Sequence, residues 1–208
     1  MIMEKVDQLF RVIMKFAILN LLWLGFSVIG FIVIGFFPAT VAMFVIVRKW
    51  VRGEEQIPIF QVFWSIYKQV FLKANLFGWV LSLIGGLFYV NYQLMIALGT
   101  DVPFIVVLAF LLLVLLYFLF IVSLLPVAVH FSGGVKQIIK KAILFMFARI
   151  HLALLLLVLV WTSVYLSIAF PTILLFFTGS VLSYMMMWFF HRSLDKIEQN
   201  KPKEQYSS

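Results

Sequence analysis

Three histidines and one pair of adjacent acids are the residues best suited to chemistry in this chain. His130, His151 and His191 each border a long apolar run, and imidazoles brought to one depth would suit a metal site or a proton relay. Their spacing matches neither HExxH nor a comparable ligand pattern. An amphipathic imidazole also settles readily at a membrane interface, which is the simpler account. Glu54 and Glu55 follow Arg52 and Gly53 at an expected helix end and read as a solvated turn. The chain has no cysteine, which removes disulfides, thiolate ligands and cysteine nucleophiles together. No phosphate-binding loop and no supported Ser-His-Asp order occurs. The expectation is a protein that is not an enzyme, with no catalytic, cofactor-binding or metal-binding residues.

The elements that must position these residues follow from composition. Of 208 residues, 65% are hydrophobic and 12% charged, and the mean hydropathy is +1.15; soluble domains are about a quarter charged. The chain reads as an integral membrane protein. Its apolar runs lack the two-residue alternation of barrel strands, so helices are expected. A helix rising about 1.5 Å per residue needs about 20 apolar residues to cross about 30 Å of hydrocarbon. Leu76 to Ala97, Pro103 to Val129, Ile150 to Ile168 and Pro171 to Phe190 meet that length. The uncharged block Phe16 to Val47 is too long for one crossing and short for two.

Positive charge decides the count, because lysine and arginine are kept in short cytoplasmic loops. With six crossings all 16 lysines and arginines fall on the inner face, and the outer turns near Gly35, Thr100 and Phe170 hold only Asp101. With five, Lys5, Arg11 and Lys15 would lie opposite all the others. The expected fold is therefore an all-α integral membrane protein with six transmembrane helices as three hairpins, N and C termini cytoplasmic. Residues 1–192 form a single polytopic membrane domain, and residues 193–208 a polar, flexible cytoplasmic tail. The second span, Phe36 to Val47, is short and could be re-entrant; Pro38 suits its first turn, where a missing N–H costs nothing. Glu4 and Asp7 precede the first run without a small-residue cleavage pattern, which predicts an uncleaved span and not a signal peptide.

Each hairpin is expected to follow a basic amphipathic segment lying in the headgroup plane. In the first, Val6, Leu9, Phe10 and Ile13 share a face opposite Glu4, Gln8, Arg11 and Lys15. In the second, Phe60, Phe63, Tyr67, Val70 and Phe71 oppose Gln61, Ser65 and Lys68. The third is Lys136 to Arg149. Anionic lipid of the inner leaflet is thus an expected partner. Nucleic acid is not, since the cations flank spans. No charged residue lies inside a proposed span, which disfavours ion-coupled transport. Buried amides and hydroxyls such as Asn20, Thr40, Asn91 and Ser163 are expected to bond to backbone or across helices, and Pro126 to kink the fourth span. Gly25, Gly30 and Gly35 recur every five residues and do not make a GxxxG stripe.

At Phe37-Pro-Ala-Thr40, Val47-Arg-Lys-Trp-Val-Arg-Gly-Glu54, Phe63-Trp-Ser-Ile-Tyr-Lys68 and Lys73-Ala-Asn75, the chain resembles the YesL family of bacterial membrane proteins, a domain of unknown function. The resemblance runs from the N-terminal amphipathic segment to His191. Phe37 departs from it, since the family typically has glycine before this proline. The resemblance implies a multi-pass protein of the bacterial cell (plasma) membrane and a companion of sugar uptake, because such proteins are often encoded beside carbohydrate ABC importers and glycan-degrading enzymes.

The functional expectation is a non-enzymatic accessory protein of carbohydrate (oligosaccharide) uptake, working alongside ABC importer subunits. Its candidate partner-binding residues are Arg48, Trp50, Arg52, Glu54, Trp64 and Lys68, because arginine and tryptophan are enriched at contact hot spots. Both are also ordinary residues of membrane interfaces. The alternative is a channel or facilitator for a small neutral solute, with Asn20, Thr40, Asn91 and Ser163 lining a polar cavity.

Overall fold

Apolar runs without internal breakers become helices, and the computed structural model, which describes residues 2–99, 102–131 and 133–199, holds eight of them and no strand among those residues. They are α1 (Ile2–Ile29), α2 (Phe36–Val51), α3 (Ile59–Leu98), α4 (Phe104–His130), α5 (Val135–Ala148), α6 (Ile150–Ala169), α7 (Pro171–Phe176) and α8 (Thr178–Gln199). Four are long and apolar enough to cross a membrane: α1 from Met3, α3, α4 and α6. The chain is an all-α protein with the helices of a membrane protein. Asp101, the one charge expected on the outer turns, lies outside the described residues.

The short second helix is the centre of the bundle. Its 16 residues reach about 24 Å, starting at Phe36 with Pro38 in the first turn as expected. It packs on α1, α3, α4 and α8. Pro38, Ala39, Ala42, Met43, Phe44, Ile46, Val47 and Trp50 are all buried, and the small side chains of Ala39 and Ala42 let neighbours approach closely. The helix ends where Gly53 takes a φ of 89°, a conformation that favours glycine.

The turn from α1 to α2 explains two of the regularly spaced glycines. A Cβ on Gly30 would strike the backbone of Gly35, and one on Gly35 would strike the Phe26 carbonyl. Both must be glycine for the chain to reverse this tightly. Between them Phe31 and Ile32 take φ values of 55° and 62°, a left-handed conformation that costs roughly 1–2 kcal/mol per residue.

Two of the three lateral segments are not separate elements. The first is continuous with α1, and the second is the start of α3, whose 40 residues extend about 60 Å, twice the hydrocarbon thickness. No proline and no chain break separates Lys73 from Leu76, so the helix propagates through. The apolar face of this segment is turned partly to protein, with Phe60 left exposed. Phe63 and Tyr67 are buried in the protein core, with the Phe26 ring 5.3 Å from Phe63 and 5.1 Å from Tyr67. Only the third segment stands alone, as α5, where Arg149 breaks the helix at φ −133°, ψ 46°.

The last proposed span is also broken, at Phe177, into α7 and α8. Helix α8 runs on through Gln199, so its helical residues pass the boundary drawn at residue 192. Residues 200–208 lie outside the described residues.

Candidate functional site

Several of the helices bring cations to one end of the bundle. Helix α2 brings Arg48 there, and its guanidinium Nη1 donates a hydrogen bond to the Val129 carbonyl near the end of α4. The next residue, His130, has its ring 6.1 Å from that of His191 on α8. His191 Nδ1 lies 2.9 Å from Asp195 Oδ2, one helical turn on. From α5, the Lys141 ammonium sits 4.4 Å from the centroid of the Phe131 ring. Lys15 of α1 pairs at 3.6 Å with Glu55, and Phe16 packs on Trp50 at 5.4 Å. The chain therefore enters this basic end with α1 and returns to it with α8.

The electrostatics here are those of crowded cations. Burial first, and then the charge of Arg52, push the Arg48 guanidinium below its ordinary pKa, with Glu54 opposing. The Glu54 carboxyl is held below its ordinary value, first by a hydrogen bond from Lys49 at 2.8 Å and then by the charges of Lys49, Arg48 and Arg52. Arg48 Nε, Trp50 Nε1 and His130 Nδ1 are buried without a hydrogen-bond partner.

The six residues singled out for partner binding divide into two groups. Arg48 and Trp50 serve the fold: the first ties α2 to α4, and the second is 8% exposed in the core. Arg52, Glu54, Trp64 and Lys68 are exposed. Trp64 stacks on Tyr67 at 6.0 Å and an interplanar angle of 15°, and the Lys68 ammonium lies 5.0 Å over its ring. A ring fixed on both sides loses little freedom when a partner covers it.

Two of the three histidines meet, His130 and His191; His151 instead lines a cavity with Trp188 and Arg192. Among the described residues no three of His, Asp and Glu are placed to hold a metal ion.

The polar residues considered for a solute path are mostly engaged in hydrogen bonds within the protein. Asn20 bonds to the backbone of α7 and α8. Thr40 donates to the Phe36 carbonyl and accepts from Trp23 Nε1. Exposed Asn91 donates to its own helix at Leu87, and the Ser163 carbonyl accepts from Ser167. Neither cavity at the basic end is lined by any of the four. The smaller one, about 110 Å³, lies between Lys15, Trp50, Glu55 and Tyr184.

Sequence reasoning missed the larger cavity, between the start of α6 and α8. The only signal for it was the spacing of Trp188 and Arg192, four apart on one helix face.

Residues 16–92 match the family model described as "Protein of unknown function, DUF624". The chain is 35% identical to the uncharacterized protein YteU of Bacillus subtilis (strain 168), over 94% of this chain and 88% of that one. It is 29% identical to the uncharacterized protein YesL of the same organism, over 92% and 90%. With the uncharacterized protein YesV the identity is 31% over 89% of each chain. No solved structure matches.

Proposed function

This chain belongs to the DUF624 family, that of YesL, and we propose on that premise that it is a non-enzymatic accessory protein of carbohydrate uptake. It docks on the membrane subunits of an ABC importer. The observation that carries the reading is the division of the Arg48 to Lys68 stretch into a buried pair and an exposed set. Arg48 and Trp50 fix the end of α2 to α4 and α1, while Arg52, Glu54 and Lys68 are exposed and Trp64, 40% exposed, packs on Phe26 and Tyr67 at the edge of the core. Rigidly held arginine and tryptophan are what contact hot spots use. Replacing Arg52 and Trp64 together with alanine is expected to reduce importer subunits copurified from the native host about tenfold, as a loss of about 1.4 kcal/mol does. The amount of protein in the membrane should stay unchanged. Undiminished copurification would reject the docking role.

The same reading places the protein in the bacterial cell membrane with six passes and both ends in the cytosol. What supports it is the common position of Lys15, Arg48 and Arg192 at the basic end, since lysine and arginine mark the cytoplasmic side. The α3 segment from Ile59 to Lys73 then runs beside α1 and α2, with its core face on them instead of lipid. The chain has no native cysteine, so single thiols report cleanly. Val102→Cys is expected to react with an impermeant maleimide on intact cells, and Lys136→Cys only after permeabilisation. Reaction of both on intact cells would refute the topology.

A facilitator for a neutral solute is the weaker reading, because the side chains of Asn20, Thr40 and Asn91 are held by hydrogen bonds to backbone carbonyls.

A further inference from the structure

The larger cavity at the basic end is not used by the docking reading and rests on different residues. It is an open cleft of about 250 Å³ lined by Arg149, His151, Trp188, Arg192 and Ser193, with buried Leu152 among its apolar residues. That volume is about eight waters at about 30 Å³ each, room for a phosphate with a small ester group.

The lining is cationic. Among the described residues no carboxylate borders the cavity, and neither arginine has an ion pair. The Arg192 guanidinium carbon lies 5.1 Å from the centroid of the Trp188 ring, a contact that orders the guanidinium while leaving its edge donors for an acceptor. Arg149 is held at the break between α5 and α6, with its backbone N–H bonded to Phe145. Its neighbour His151 lies in the first turn of α6, a helix apolar enough to cross a membrane. The cavity thus sits at the end of a span, the depth at which headgroup phosphates lie.

Two guanidiniums, an imidazole and a hydroxyl around one space call for an oxyanion with several acceptor oxygens, and planar guanidiniums match phosphate by paired N–H bonds. The geometry points to a binding site for a phosphate group, supplied by an anionic phospholipid headgroup or by a free phosphate. Arginines merely reaching toward an interface would not need a shared cavity or a ring that fixes one of them.

Native mass spectrometry of the detergent-purified full chain, titrated with phosphatidylglycerol or phosphatidylcholine, tests this. One phosphatidylglycerol should bind at least about tenfold more tightly than phosphatidylcholine. The variant Arg149→Gln/Arg192→Gln should lose about tenfold or more of that affinity, the effect of removing charge-assisted bonds worth about 1.4 kcal/mol. Lys136→Gln/Lys140→Gln removes the same net charge from exposed positions of α5 outside the cavity and should change it less than about twofold. If the Arg149 change prevents folding, Arg192→Gln alone on the exposed face of α8 gives the same comparison. Displacement of the lipid by millimolar inorganic phosphate at constant ionic strength assigns the site to free phosphate; retention of the lipid assigns it to the headgroup. Equal loss in both double variants, or no loss of either probe in the arginine variant, overturns the site.

Discussion

Asn20→Leu is expected to lower the stability of the protein by roughly 2–5 kcal/mol, more than any other single polar-to-apolar change in the bundle. The Asn20 side chain is fully buried and makes four hydrogen bonds with one segment. Its Nδ2 donates to the carbonyls of Leu174 at 2.8 Å and Leu175 at 2.7 Å. Its Oδ1 accepts from the N–H groups of Gly179 at 2.9 Å and Ser180 at 3.1 Å. These four groups surround the break at Phe177, where the last carbonyls of α7 and the first N–H groups of α8 have no intrahelical partner. One amide from α1 therefore caps two helix ends at once. An average interhelical bond in a membrane protein is worth about 0.6 kcal/mol, which gives the lower bound for four. Backbone groups left buried without an alternative cost about 1–3 kcal/mol each, which sets the upper range because relaxation of the break would recover part. Asn91→Leu is the control, since exposed Asn91 makes one local bond to Leu87 and should cost less than about 0.5 kcal/mol. Unfolding in mixed detergent with increasing denaturing surfactant measures both. A loss below about 1 kcal/mol for Asn20→Leu would show that the break stands without its cap.

The role of Asn20 was legible in kind but not in place. A lone amide in an apolar run should bond to backbone, and it does; that its partners lie more than 150 positions away is set only when α1 packs on α7 and α8. The break itself was hidden for the same reason. Pro171 marks a helix start, whereas nothing local in Leu-Phe-Phe-Thr-Gly-Ser demands that the helix stop at Phe177. Helix α2 was read closely, because a proline, a charge cluster and a glycine bracket it. The fate of its cations was not, since Arg48 becomes a strut only because α4 ends beside it. The continuity of α3 was missed because amphipathic periodicity reports a buried face without saying whether lipid or protein buries it. Phe63 and Tyr67 find protein, and with no breaker before Leu76 the cheapest path for the backbone is one helix.

Gly78→Leu is expected to cost about 1–3 kcal/mol, the usual range for overpacking, and Phe37→Ala in the same chain to return much of that loss. Gly78 is buried in α3, and a Cβ placed on it would fall inside the ring of Phe37. That ring also packs on Trp79, with centroids 6.2 Å apart. Phe37 lies inside α2 and not in the turn before it, so it makes a helix contact and leaves the reversal to Gly30 and Gly35. Ring and glycine form a knob and its hole. Alone, Phe37→Ala vacates the hole and destabilises; alone, Gly78→Leu fills a hole already occupied. Together each change removes the fault of the other, so the double-mutant cycle should show a coupling of at least about 1 kcal/mol. Additivity within about 0.5 kcal/mol would mean that α3 shifts freely past α2. The outcome bears on more than one contact, because this is where the start of the short central helix is pinned to the middle of the long one. If the pin holds, α2 cannot slide along α3, and the segment Ile59 to Lys73 that carries Trp64 and Lys68 keeps a fixed position against Phe26 of α1.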